Sequence, residues 1–488
     1  MKLDSAFVPQ AKKDTAKKEP LKLGTLTYPN MAYGWKELPK QKTVLIKNAT
    51  VWTNEADSMI ANTDVLIVGG KISQIGKNVP APANCMIIDG TGKYLTPGII
   101  DEHSHIAIAG GVNEGTQASS AEVRIGDVIN PDDIQIYRQL AGGVVASQLL
   151  HGSANPIGGQ SAIVKLRWGA TAEQMKIDYA PAFIKFALGE NVKQSNWGDF
   201  QSSRFPQTRM GVEQVYYDYF TRAKEYNAQW QKYNALSPAD KAKVSAPRRD
   251  LDLEAVGKIL LGTENITCHS YVQSELTMLM HVADSMGFKV NTFTHILEGY
   301  KVADIMKAHG VGASGFADWW AYKYEVKDAI PYNSAIMTRM GLVVAVNSDD
   351  AEMARRLNQE AAKGIKYGGM TEVEAFKMVT LNPAKLLHLD QRMGSIKVGK
   401  DADVVLWNNN PTSIYAKPEK TIVDGKILYD VNEDVKLRAN MAKEKARIIQ
   451  KMILEKNGGA PVQRPRFRKP HLWDCDDIIE DGNYLDAQ

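Results

Sequence analysis

Eight short apolar runs, most of them followed by a helical stretch, predict a (β/α)8 barrel of the TIM type in the middle of this 488-residue chain. A β-rich texture that appears before this portion and returns after it predicts a small composite β-sandwich built from both flanks of the barrel. The third observation is the gathering of histidines at the ends of the predicted barrel strands. In such barrels the loops at the C-terminal strand ends carry the active site.

The elements follow in chain order. Residues 1–42 open Lys-rich and Pro-punctuated, which reads as a solvated tail, a linker or a connector inside a longer polypeptide. From Lys42 the runs KTVLIKNATVWT, TDVLIVGGKISQIG and CMIIDGTGKYLTPG combine β-branched residues with Gly, Asn and Asp breaks. GSIKVGKDADVVLW and KTIVDGKILYD repeat that pattern, so 43–95 plus 394–430 are expected to share one β-sandwich. The barrel is assigned to 96–393. Its strands are expected at GIIDEHSHI (98–106), GVVASQLLH (143–151), AIVKLRW (162–168), AFIKFALG (182–189), ITCHSY (266–271), KVNTFTH (289–295), VGASGF (311–316) and LVVAVNSD (342–349). Residues from about 191 to 262 are too long for one βα connection and read as a helical insertion, either above the barrel mouth or as a peripheral hairpin. Residues 431–488 hold a charged helix and a polar tail. Such a helix is a solvated face or a subunit contact, the second option leading to a homo-oligomer.

Composition excludes several function classes. The chain is 44% hydrophobic and 24% charged, close to ordinary globular usage. Its 59 Lys and Arg nearly balance 56 Asp and Glu, which argues against a nucleic-acid partner. No apolar stretch approaches the roughly 18 residues of a membrane span. Three widely spaced cysteines, Cys85, Cys268 and Cys475, make no disulfide framework. Without a signal peptide the default location is cytoplasmic, or extracytoplasmic if the chain belongs to a longer exported polypeptide.

Chemistry is concentrated in the histidines. Of nine, five (His103, His105, His151, His269 and His295) fall at predicted strand ends, a placement that packing explains poorly. In His103-Ser104-His105 the i, i+2 spacing sets both imidazoles on one side of a strand, where two neutral nitrogens chelate a divalent ion such as zinc. His151, in LLHGSANPIGGQSA, reads either as a substrate-binding residue or as part of a tight βα loop. Cys268 should face away from its neighbour His269, which disfavours a nucleophilic thiol. Neither a G-x-S-x-G elbow nor a P-loop is present.

TPGIIDEHSHI resembles the PG-(I/L)-ID-x-H-x-H signature of the amidohydrolase superfamily. LNPAKLLHLDQRMGSIKVGKDADVVLW is similar to that superfamily's closing segment, and GGQSAIVKLRWG with NSDD resembles the branch related to imidazolonepropionases and some dipeptidases. The resemblance covers about residues 43–430. It implies that His103 and His105 are strand-one ligands, His269 and His295 the strand-five and strand-six ligands, and Asp349 a ligand that also handles the proton. Asp350, pointing to the other strand face, is given a supporting role at most. Two-metal members need a bridging anion on strand four, where Lys185, as a carbamate, is favoured and Glu190 is the alternative. Some imidazolonepropionase-like members hold one metal and need neither.

The implied function is a metal-dependent hydrolase that cleaves a C–N bond in an amide, cyclic amide or short peptide with a metal-activated hydroxide. The cofactor would be a divalent metal, zinc by preference, two per chain if the bridge is present. The partner would be a small molecule or short peptide. The rivals are a single-metal deaminase or iminohydrolase on the same fold, a scaffold that has lost catalysis, and a purely structural metal, which cysteine-poor ligation disfavours.

Overall fold

β-branched and aliphatic residues repeat at alternate positions in both flanks, and the strands they form pair across the whole length of the chain. The computed structural model describes residues 26–193, 204–319, 322–463, 472 and 475. The first 25 residues, part of the expected insertion and most of the C-terminal tail lie outside the described residues.

The N-terminal flank supplies β1 (Val44–Trp52), β2 (Met59–Val68), β3 (Lys71–Gly76), β4 (Met86–Asp89) and β5 (Tyr94–Pro97). The central portion supplies β6 (Ile99–Ser104), β7 (Val144–Leu149), β8 (Ile157–Gln160), β9 (Ala162–Lys165), β10 (Ala182–Ala187), β11 (Glu264–His269), β12 (Thr292–Thr294), β13 (Gly312–Gly315) and β14 (Val344–Val346). The C-terminal flank adds β15 (Val404–Trp407), β16 (Pro418–Val423) and β17 (Lys426–Asp430).

Strands of both flanks enter one eight-stranded sheet of order β17-β16-β15-β5-β1-β2-β3, with β4 also paired to β1. The join is the antiparallel pair β15–β5, in which Val404 faces Pro97 and Trp407 faces Tyr94. Val44, Ile46, Val51, Ile67, Leu95, Val404, Leu406 and Ile422 form a core of this sheet, with residues from either side of the central portion packed together. A chain ending at residue 393 would leave the β5 edge unpaired and that core open. It is expected to be recovered as aggregate, whereas a soluble, fully metal-loaded product by size exclusion would contradict the pairing.

The central strands are covered on both faces, and every residue of β6 and β7 is buried, polar ones included. They form a six-stranded sheet, β14-β13-β12-β11-β10-β8, and a three-stranded sheet, β6-β7-β9. Pairing is parallel from β10 through β14 and between β6 and β7. One departure from the expected barrel is clear. AIVKLRW does supply β9, but β9 runs antiparallel to β7, and β8 runs antiparallel to β10. A parallel neighbour needs a crossover of about a dozen residues or more, usually a helix. The segment from β7 to β9 contains no helix and already includes β8, so the chain must turn back on itself.

Gly98 of the TPG turn sits where a Cβ would overlap both methyls of Val145, so glycine lets β6 enter tight against β7. Lys165, the last residue of β9, ties the central sheets to the flanking sheet. Its buried ammonium lies 2.8 Å from Asp401, 2.8 Å from Asp403 and 2.5 Å from Asp424. Arg167 holds the other oxygen of Asp424 at 2.7 Å. Burial alone would lower the Lys165 pKa, but Asp403, Asp424 and Asp401 together raise it above the ordinary range. The cation these three carboxylates hold is therefore Lys165.

Between β10 and β11 the expected insertion contains a 26-residue helix, Arg209–Asn234, and a second, Leu251–Leu260. The first buries Val212, Val215, Tyr216 and Phe220. Tyr216 donates its hydroxyl to the carbonyls of Pro156 and Ala187. These contacts belong to a helix packed on the strands. The helix Val431–Asn457 buries only Asp434, which accepts from Tyr137 and pairs with Arg438.

Candidate metal centre

Strand ends bring five donor side chains to one point. His103 closes the inward face of β6 and His105 follows it; His269 ends β11, His295 follows β12 and Asp349 lies just past β14. His295 and Asp349 both adopt left-handed backbone, with φ of 58° and 49°. Non-glycine residues rarely take this conformation, which costs of order 1–3 kcal/mol and is found disproportionately at functional sites. Here it turns two side chains inward immediately after their strands stop. The Asp349 N–H donates to the His103 carbonyl at 3.2 Å, fixing the end of β14 against that of β6.

The donor atoms are crowded. His103 Nε2 lies 3.2 Å from His105 Nε2 and 3.3 Å from His295 Nε2. Asp349 Oδ1 is 3.1 Å from His105 and 3.4 Å from His103, and its Oδ2 is 3.5 Å from His295. Nitrogen and oxygen donors at zinc bond lengths around one tetrahedral ion lie roughly 3.4 Å apart, so these separations fit donors facing a shared cation. His269 packs edge-on against His295 with ring centroids 5.1 Å apart. It is fully buried, and neither of its ring nitrogens has a hydrogen-bond partner among the described residues. Leaving such a group unsatisfied is costly; a cation satisfies it.

Electrostatics favours the same reading. Burial, reinforced by the nearby Lys185 ammonium, drives His103 well below its ordinary pKa. Burial and a neighbouring imidazole do the same to His269 and His295. Burial would raise Asp349, but His295 and His103 hold its carboxyl well below the usual range. Neutral imidazoles with a carboxylate make a donor set suited to zinc.

The other expected site residues separate clearly. Lys185, on β10, reaches His103 Nε2 at 3.2 Å and is fully buried. Glu190 lies beyond the strand end, where its backbone N–H donates to Glu325 and its carboxylate is 4.0 Å from Lys193; no contact joins it to the histidines among the described residues. His151 is buried, with Nδ1 2.9 Å from the Gly152 carbonyl and Nε2 accepting from the Glu114 N–H at 2.8 Å. Both its nitrogens bond within the loop. This is the arrangement expected of the tight-loop alternative. Asp350 accepts the N–H groups of Glu352 and Met353, holding the turn behind Asp349.

Sequence reasoning missed four neighbours. Thr294 donates to Glu102 and lies 3.3 Å from His103 Nδ1, which orients that ring. Asp101 accepts from the Ser348 hydroxyl at 2.6 Å. Burial raises Glu102 to about 8. Asp101 and Glu102 were visible inside the same DEHSH run. Cys475 was not: its Sγ lies 3.1 Å from His103 Nε2 and 3.2 Å from His105 Nε2, although it sits in a polar tail with no spacing pattern.

Residues 273–428 match the model of the amidohydrolase family. A solved amidohydrolase from Thermotoga maritima MSB8 is 32% identical, with a TM-score of 0.71, over 79% of this chain and all of that one. The chain belongs to the amidohydrolase superfamily. The amidohydrolase tasK of Hapsidospora irregularis is 29% identical over 80% of this chain, which spans 43% of that protein's length. An imidazolonepropionase of Vibrio cholerae is 21% identical over 75% of this chain and 93% of its own. As an amidohydrolase, the protein has the TIM-barrel type of α/β fold and is a hydrolase acting on C–N bonds, in a family whose members are typically metal-dependent. No helix among the described residues is long and apolar enough to cross a membrane.

Proposed function

We propose that this amidohydrolase hydrolyses an amide, cyclic amide or short peptide at a two-metal centre held by His103, His105, His269, His295, Asp349 and Lys185, with zinc the preferred ion. The observation that carries the proposal is the crowding of buried histidine nitrogens and the Asp349 carboxylate, 3.1–3.5 Å apart, at the strand ends. A divalent ion there supplies Lewis acidity toward a carbonyl and makes hydroxide available near neutral pH. The chain's own residues do the rest. Asp349 takes a proton from the attacking water on a carboxylate oxygen and returns it to the leaving nitrogen. Thr294, with Glu102 behind it, keeps the His103 ring turned so that Nε2 faces the centre. We read 43–95 plus 394–430 as one composite sandwich beside a closed barrel spanning 96–393, which stiffens the strand ends that carry these side chains.

Lys185 is assigned the bridging anion. Its neutral amine adds to carbon dioxide, an N–C bond forms, a proton leaves, and the resulting carbamate offers two oxygens where the ammonium offered none. Lys185→Ala is therefore expected to lose metal, with partial rescue by added short carboxylic acids, while Glu190→Gln keeps its metal content. Metal per chain, measured on purified protein after reconstitution with zinc, checks this. The single-metal reading that the family resemblance leaves open makes the opposite prediction. One metal per chain, unchanged in Lys185→Ala, would decide for it.

A further inference from the structure

We propose that Cys475 is a ligand of the metal centre, a thiolate that takes a place water or substrate would need there and holds the chain in a self-inhibited state. The proposal rests on the metal-centre reading above and goes beyond it, because no strand or barrel loop carries this residue.

Cys475 is buried. Its sulfur lies 3.1 Å from His103 Nε2, 3.2 Å from His105 Nε2, 3.7 Å from His295 Nε2 and 3.4 Å from Lys185 Nζ. A sulfur and a nitrogen bound to one tetrahedral zinc ion stand roughly 3.6 Å apart, so Sγ sits where a further donor would. The residue is also held there. Its carbonyl accepts from the Ser153 N–H at 3.2 Å, the Ser153 hydroxyl at 3.0 Å and the Asn113 amide at 3.4 Å. Those partners belong to the segments around 113 and 153 that border the strand-one histidines. The loop after β7, rich in small residues and stiffened by His151, thus has a use: it receives the backbone at 475.

An independent observation points to a cation at the same place. His269 is fully buried with both ring nitrogens unpartnered among the described residues, and its ligand atom lies within 4.8 Å of those of His295 and Cys475. The thiol therefore faces a group that needs a cation. The contrast with Cys268 is instructive. That thiol is equally buried but lies 3.5 Å from the backbone carbonyl of His269, on the other face of β11.

Coordination exchanges one bond for another: the S–H bond breaks, its proton goes to solvent, a sulfur–metal bond forms, and no electron is transferred. A thiolate is a strong ligand for zinc and cobalt. In this position it competes with water and substrate for a place at the centre.

The test uses the full chain, stripped with chelator and titrated with cobalt(II) alone. The expected result is a near-ultraviolet thiolate-to-cobalt charge-transfer band in the parent, retained in Cys85→Ser and lost in Cys475→Ser and Cys475→Ala. At equal metal content the Cys475 variants should turn substrate over faster than the parent. Cobalt uptake without the band, or a band that survives in both Cys475 variants, overturns the proposal while leaving the metal-centre reading intact. No cobalt uptake at all overturns that reading instead. Loss of the band with no gain in turnover overturns the self-inhibition.

Discussion

Asp349→Asn should fold like the parent, keep much of its metal and lose roughly 10²–10⁴-fold in turnover, the usual span for general acid–base catalysis. Asparagine is nearly isosteric and still offers one oxygen at the place where Asp349 Oδ1 now lies 3.1 Å from His105. It tolerates the left-handed backbone at this position better than most residues, and its N–H still reaches the His103 carbonyl. What it cannot do is accept a proton. Turnover and metal content measured on the same sample check the prediction. A metal-replete variant within tenfold of the parent would move the proton transfer to another group, with His295 the next to examine.

Lys165→Met should destabilise the protein by about 3–5 kcal/mol, the usual cost of removing one partner from a buried ionic network. Methionine fills much of the volume but leaves Asp403 buried without its ammonium, and Asp401 and Asp424 with only their more exposed partners. All three acids come from the C-terminal flank and Lys165 from β9, so the loss falls on the join between the flanking sheet and the central sheets. The histidines draw on no part of this cluster. Urea denaturation should show a lower midpoint at unchanged slope. A midpoint within error of the parent would mean that the join does not depend on Lys165.

How far these features could be read in advance varied with their physics. The runs expected to be strands are strands because buried parallel strands favour apolar residues, as Val344–Val346 shows. The direction of β9 was not legible. Alternation and β-propensity are the same for either orientation, and only the lack of a crossover helix sets it. His103, His105, His269, His295 and Asp349 could be found because each ends a strand, so position along the chain translates directly into position at the mouth. Lys185 and Glu190 remained alternatives in the sequence because both lie near one strand end; pleat and strand length bring Lys185 to His103 and leave Glu190 outside. His151 shared the strand-end signal with the clustered histidines, but its ring nitrogens bond within its own loop. Cys475 had no signal at all. Its place depends on a long-range return of the chain, which local pattern does not encode.

C–N bond hydrolysis at the clustered histidines and Asp349 is open to a direct test. That test is one hydrolysis screen, run on zinc-reconstituted protein and on the same protein stripped with chelator, over dipeptides, N-acyl amino acids and cyclic imides. To remove the competition proposed for the thiolate, the screen includes Cys475→Ser alongside the parent. The expected result is release of the amine or ring-opened product from at least one of these classes, abolished by chelation and restored by zinc. Metal-replete parent and Cys475→Ser proteins that hydrolyse none of them, or hydrolysis that survives complete removal of metal, would contradict it.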